Sequence, residues 1–184
     1  TGTGTGQVGT HTFNIGVTTV TYTVTDGAGN TDTDVMTVTV TDDEDPVVTC
    51  IGNQTRNPDP GVCFYTISGT EFDLVTSGDN CAVASVINNI NGTSTLLGET
   101  FVGTTNVEWT IIDNAGNTSI CSFSVIVSDS ENPTISCVGD QTRSTEAGLC
   151  TYTASGNEFD PAANGDNCSI ASVTNNLTGT NTLD

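Results

Sequence analysis

Thr41-Asp42-Asp43-Glu44-Asp45-Pro46 returns as Ser128-Asp129-Ser130-Glu131-Asn132-Pro133. Pro46 and Pro133 are 87 residues apart, and the same interval separates Cys50 from Cys137, Cys63 from Cys150, Cys81 from Cys168 and Asp26 from Asp113. A period of this length with short alternating strands inside it describes small β domains in tandem. Each domain opens on an acidic junction that ends in proline. The period divides the chain into the back half of a unit over residues 1–43, a complete unit over 44–128 and the front half of a third over 129–184. Start and finish fall at nearly the same phase of the period. That fits an excerpt of a longer array, or a chain whose back half completes the front half of a neighbour. The second arrangement is a head-to-tail filament, because a heterologous contact of this kind does not close.

Outward from the junctions the pattern is that of strands. Thr1 to Gly6 is low in complexity and reads as a loose edge or loop. Val20, Tyr22 and Val24 alternate with threonine, Asp26-Gly27-Ala28-Gly29-Asn30 interrupts, and Met36, Val38 and Val40 resume the alternation. This is a β-hairpin, since β-branched residues suit a pleated surface and Gly and Asn supply a tight reversal. The complete unit begins with a strand over Val47 to Ile51 and turns at Pro58-Asp59-Pro60-Gly61. Cys63, Tyr65 and Ile67 then share an inward face. A loop from Gly69 to Asn80 leads to a strand around Val83 to Ile87, with further strands expected near Thr93 to Leu97 and Glu99 to Val102. Val107, Trp109 and Ile111, the turn Asp113 to Asn117, and Cys121, Phe123, Val125 and Val127 form the closing hairpin. Trp109 and the three tyrosines occupy strand positions expected to point inward. With about seven short strands per unit and no helical period, the fold class is all-β, tandem immunoglobulin-like antiparallel β-sandwiches.

Composition narrows the partners. The formal net charge is −20, from 22 acidic residues against Arg56 and Arg143. Such a surface repels phosphate backbones and anionic lipid, which argues against nucleic-acid and membrane binding, and it accumulates divalent cations. No apolar run approaches the roughly 18 residues that span a bilayer, and no signal-peptide pattern is present, so an export signal is expected outside this sequence. Seven cysteines at repeated positions read as a disulfide framework from an oxidising compartment. Zinc is disfavoured, because His11 is the lone histidine and no two cysteines lie at zinc-knuckle spacing.

The set Phe13, Gly16, Val20, Tyr22 and Asp26-Gly27-Ala28-Gly29-Asn30 resembles the hyalin-repeat (HYR) family. So does its copy Phe101, Gly103, Val107, Trp109, Asp113-Asn114-Ala115-Gly116-Asn117 and Cys121-Ser122-Phe123, as does the acidic-proline junction with a cysteine four residues on. The resemblance implies an extracellular, adhesion-related module without catalytic residues, found in secreted animal proteins and in large bacterial surface proteins. Two departures stand out. Asp34 occupies the place that Cys121 holds one period later, and Cys63 and Cys81 add a pair.

Three kinds of site are expected. In a sandwich with strands in the usual order, the junction, the Glu71–Asp79 loop and the Asp113 turn lie at one end. Carboxylates gathered so closely raise their pKa values or recruit a cation, and Ca²⁺ accepts six to eight oxygens in flexible geometry. The expected ligands are Asp42, Glu44 and Asp45 with Asp113 and Asp79, and Asp129, Glu131 and Asn132 begin an equivalent site. The expected disulfides are Cys63 with Cys81, Cys50 with Cys121 and, one period on, Cys150 with Cys168, which leaves Cys137 to a partner elsewhere. No nucleophile has a base beside it, and the Glu71 and Asp73 carboxylates lack the aromatic-lined cleft of a glycosidase, so no enzyme is expected. The functional expectation is a secreted or cell-surface rod of Ca²⁺-stiffened repeats that projects an adhesive tip or polymerises into a fibre. Its expected partners are neighbouring repeats, as in a homopolymeric filament, and a cell-surface or glycan ligand. The alternative is a carbohydrate-binding or spacer module of a secreted enzyme.

Overall fold

Threonine and valine at alternating positions leave little choice but extended chain, and the computed structural model describes residues 10–183 as strands joined by turns. The Thr1 to Gly6 stretch lies outside the described residues. Strands β1 (Gly16–Thr25) and β2 (Thr31–Val40) form the first hairpin in unbroken antiparallel register from Gly16↔Val40 to Thr25↔Thr31. The complete unit contains β3 (Val47–Thr49), β4 (Gln54–Arg56), β5 (Tyr65–Thr66), β6 (Thr76–Gly78), β7 (Val83–Asn88), β8 (Thr100–Phe101), β9 (Thr104–Asp113) and β10 (Thr118–Val127). In the third segment β11 (Thr134–Ser136) pairs with β12 (Ala163–Gly165), the β3–β6 pairing one period on.

One layer of the complete unit is the four-stranded sheet β4-β10-β9-β7, and the other is built from the pairs β3–β6 and β5–β8. Between them lie Ile67, Phe72, Leu96, Phe101, Val107, Trp109, Phe123, Val125 and Val127. Trp109 is wholly buried, with its indole N–H donating to the Phe72 carbonyl at 3.3 Å. That bond removes the cost of hiding a polar tip in an apolar layer. The chain leaves β3 in one layer and joins β10 in the other as β4, where Gln54 to Arg56 run parallel to Val125 to Val127. Cys50 sits at this crossing and is bonded to Cys121 on β10, so the bridge ties the two layers together.

Tyr22 and Tyr152 depart from the inward expectation. Tyr22 is 64 % exposed while its counterpart Trp109 is fully buried, because no second layer faces the β1–β2 hairpin among the described residues. Thr93 to Leu97 is not a strand. The buried Asn88 side chain donates to the Thr93 and Thr95 carbonyls and accepts from the Ile90 and Asn91 amides, which folds that stretch into a loop. Backbone groups that a ladder would use are satisfied by one side chain instead.

Candidate functional site

The junction end of the complete unit is built on the β9–β10 turn. One Asp113 carboxylate oxygen accepts the amides of Ala115, Gly116 and Asn117 at 2.9, 2.6 and 2.8 Å, and the other accepts the Asn117 side-chain amide at 2.7 Å. Gly116 takes φ 96°, a conformation that a side chain would strain. Burial alone would raise the Asp113 pKa, but the Asn117 side chain and the three amides outweigh it and hold the carboxyl below the usual range. Asp26 makes the same turn on the first hairpin, accepting from Ala28 and Asn30. The aspartate is therefore first of all a turn former. What differs at Asp113 is that Asn117 reaches on to the Asp42 and Glu44 carbonyls, at 3.3 and 3.2 Å, which clips the turn to the junction.

Two carboxylates converge beneath this clip. Asp79 accepts the Cys81 and Ala82 amides on one oxygen, at 2.8 and 2.9 Å, while its Oδ1 is buried with no hydrogen-bond partner. Asp42 accepts the Glu44 amide on one oxygen, and its Oδ2 is likewise buried and unpartnered. Ligand atoms of Asp42, Asp79 and Cys81 lie within 4.8 Å of one another. Desolvation and the neighbouring carboxylates of Asp42, Asp79 and Asp113 push the Cys81 thiol above its usual pKa. Glu44 receives the Asn80 side-chain amide at 3.0 Å, and Asp45 is exposed. One period on, Asp166 repeats Asp79: its Oδ2 accepts the Cys168 and Ser169 amides and its Oδ1 is buried without a partner. Asp129 repeats Asp42 in accepting the Glu131 amide at 2.9 Å, but it is exposed where Asp42 is half-buried, and Glu131 and Asn132 are exposed as well.

Glu71 and Asp73 do not join this end. Glu71 pairs with Arg56 at 3.2 Å, accepts the Tyr65 hydroxyl at 2.7 Å and caps the Ser68 amide, while Asp73 caps Leu96. Arg56 pairs with Val127, at the far end of β10 from the Asp113 turn. The corner after Ile67 folds Glu71 back toward that arginine. Arg56 also lies 5.1 Å over the Phe72 ring, and Arg143, Tyr152, Glu158 and Phe159 rebuild the set one period later. The 87-residue spacing of both arginines was the signal for this pairing.

The cysteines correct the expected framework. Cys63 is bonded to Cys168, not to Cys81, and Cys150 is free, as are Cys81 and Cys137. Geometry accounts for it. Cys63 lies just before Tyr65, which pairs with Phe101 beside the Gly103 end of β9, whereas Cys81 sits with Asp42 and Asp113 at the opposite end. The cysteine facing Cys63 comes from the next unit, where the Asn167 side chain also donates to the Val62 carbonyl at 3.2 Å.

No curated protein matches the chain. The model of the HYR domain family matches residues 4–40 and 41–127, two adjacent segments that meet at the acidic junction. HYR domains are non-catalytic repeat modules of extracellular proteins, and with more than half of its length matched this chain belongs to the HYR domain family.

Proposed function

We propose that the chain is part of an extracellular, adhesion-related rod in which Ca²⁺ at each acidic junction fixes one HYR unit against the next. The observation that carries this is the pair of buried, unpartnered carboxylate oxygens Asp42 Oδ2 and Asp79 Oδ1, of which Asp166 Oδ1 repeats the Asp79 member in the following copy. A buried anionic oxygen without a donor is costly, and a cation between two of them removes the cost. Oxygen donors from carboxylates and loop carbonyls suit a hard cation of flexible coordination. Cys81 is not a shared part of the donor set, because its counterpart Cys168 is bonded to Cys63 while the orphan oxygen of Asp166 remains.

Asp42 and Asp79 are the ligands we favour, with Asp113 and Glu44 supplying charge at the rim and Asp129 beginning the next site. A rod stiffened in this way projects an adhesive tip or associates end to end with neighbouring repeats as a filament, with a glycan or cell-surface receptor at its tip. Titration calorimetry of the 184-residue chain with CaCl₂ tests the reading. Asp79→Asn keeps an oxygen for the Cys81 and Ala82 amides but removes the charge, and it should weaken Ca²⁺ binding at least tenfold. Absence of binding heat in the parent chain would end the proposal.

A further inference from the structure

The turn Asp113-Asn114-Ala115-Gly116-Asn117 touches two other segments of the complete unit, and each carries one of the two carboxylates favoured above as cation ligands. The Asn114 amide donates to the Ala82 carbonyl at 3.1 Å, on the residue whose own amide Asp79 accepts. The Asn117 side chain donates to the Asp42 and Glu44 carbonyls at 3.3 and 3.2 Å. One turn thus brackets both sides of the site.

Asp113 is fully committed to the turn. A carboxylate offers about four lone-pair positions, and four donors take them up here: the amides of Ala115, Gly116 and Asn117 and the Asn117 side chain. Asn117 in turn has two side-chain N–H bonds. One meets Asp113 Oδ2 at 2.7 Å, and the other is shared between the two junction carbonyls. Asp113 therefore aims the Asn117 amide, and that amide holds the junction.

The junction needs such a hold. Ligand atoms of Asp42 and Asp79 lie within 4.8 Å of one another, and two carboxylates this close repel. Asp79 is tied into its own loop by the Cys81 and Ala82 amides. Asp42 lies between β2 and β3, outside either strand, and Pro46 anchors the far end of that connection by burial. The Glu44 amide on the Asp42 carboxylate is a bond within the connection and moves with it. Asn117 reaches in from 75 residues away and does not.

We infer that Asn117 is a positioning residue: its side-chain amide locks the Thr41 to Pro46 junction onto the unit and so keeps the Asp42 carboxylate against Asp79. The lock needs no metal, whereas its consequence for Ca²⁺ rests on the cation reading. Asn30 provides the comparison. It donates to Asp26 at 2.7 Å in the same turn of the first hairpin, and among the described residues its side chain holds no junction.

Glutamyl endopeptidase cuts after Glu44, at a carbonyl that Asn117 holds. Digestion of the 184-residue chain in chelator, with fragments mapped by mass, reads the lock without calcium. Asn117→Ala should speed the cut after Glu44 about fivefold, the effect of one lost hydrogen bond on the open population. Glu71, Glu99 and Glu108 within the unit should stay as resistant as before. Asn117→Ser, too short to span to the junction, should act like the alanine variant, and Asn30→Ala should change nothing at Glu44. In calorimetry Asn117→Ala should weaken Ca²⁺ binding by a similar factor, and Asn30→Ala should not. The inference is overturned if the cut after Glu44 keeps its parent rate in both Asn117 variants. It is equally overturned if Glu71, Glu99 and Glu108 open together with Glu44, because Asn117 would then serve the whole fold, or if the parent binds Ca²⁺ and Asn117→Ala binds it as tightly. Faster cutting at Glu44 with no binding heat in the parent chain leaves the lock standing and removes the cation reading alone.

Discussion

Glu71 illustrates how much one residue organises. It ties the lone cation of its unit, the Tyr65 hydroxyl and the Ser68 amide together at the edge of the core. Burial would raise its pKa, but Tyr65, Ser68 and Arg56 outweigh burial, so the folded value lies below the unfolded one. Its contribution is therefore fully present above the unfolded carboxylate range near pH ~4.3 and is lost as pH falls through the depressed folded value. Glu71→Gln should cost about 1 to 2 kcal/mol at neutral pH, a difference that shrinks toward zero in acid. Urea titrations of both proteins at neutral pH and near pH ~3 check this. The period alone pairs Arg56 with Arg143 and Glu71 with Glu158, so the membership of the cluster was legible. Its position was not, because nothing in Ser68 to Phe72 states which way that corner bends. The same limit applies to Asp42 and Asp79: the sequence places them at one end of the unit, but not that each leaves an oxygen buried without a donor while Asp45 stays exposed.

At the level of elements, β1–β2 and β9–β10 are plain in the sequence because alternation runs through ten residues and a short turn, of five residues in the first hairpin and four in the second, separates the strands. Short elements carry no such signal. The Thr93 to Leu97 stretch alternates well enough to pass for a strand, yet the Asn88 amide captures its carbonyls. Asn88 is 4 % exposed, so Asn88→Ala leaves buried groups unsatisfied and should lower stability by about 2 to 3 kcal/mol, read as a fall in the thermal midpoint. The bridge between Cys50 and Cys121 spans 71 residues of sequence. By chain entropy its loss in a Cys50→Ser, Cys121→Ser double variant costs about 4 kcal/mol, and differential scanning calorimetry should show it without any change in the seam peptide that contains Cys63. Pairing cysteines by proximity in sequence failed for Cys63 and Cys81 because a sandwich sends consecutive turns to opposite ends.

For the whole molecule, 22 carboxylates against two guanidinium groups would splay a flexible string. The seam between the complete unit and the next resists this with the Cys63–Cys168 bond and the Asn167 to Val62 hydrogen bond. Small-angle scattering should therefore report a larger spread of conformations after reduction, most clearly at low salt where the charges are least screened. The acidic peptide from Ser128 to Pro133 is exposed and invites proteases. A cut there would ordinarily release everything downstream. Here the severed pieces stay strapped together by sulfur, so the chain can be nicked at this junction without shedding length and parts only when cleavage and reduction coincide.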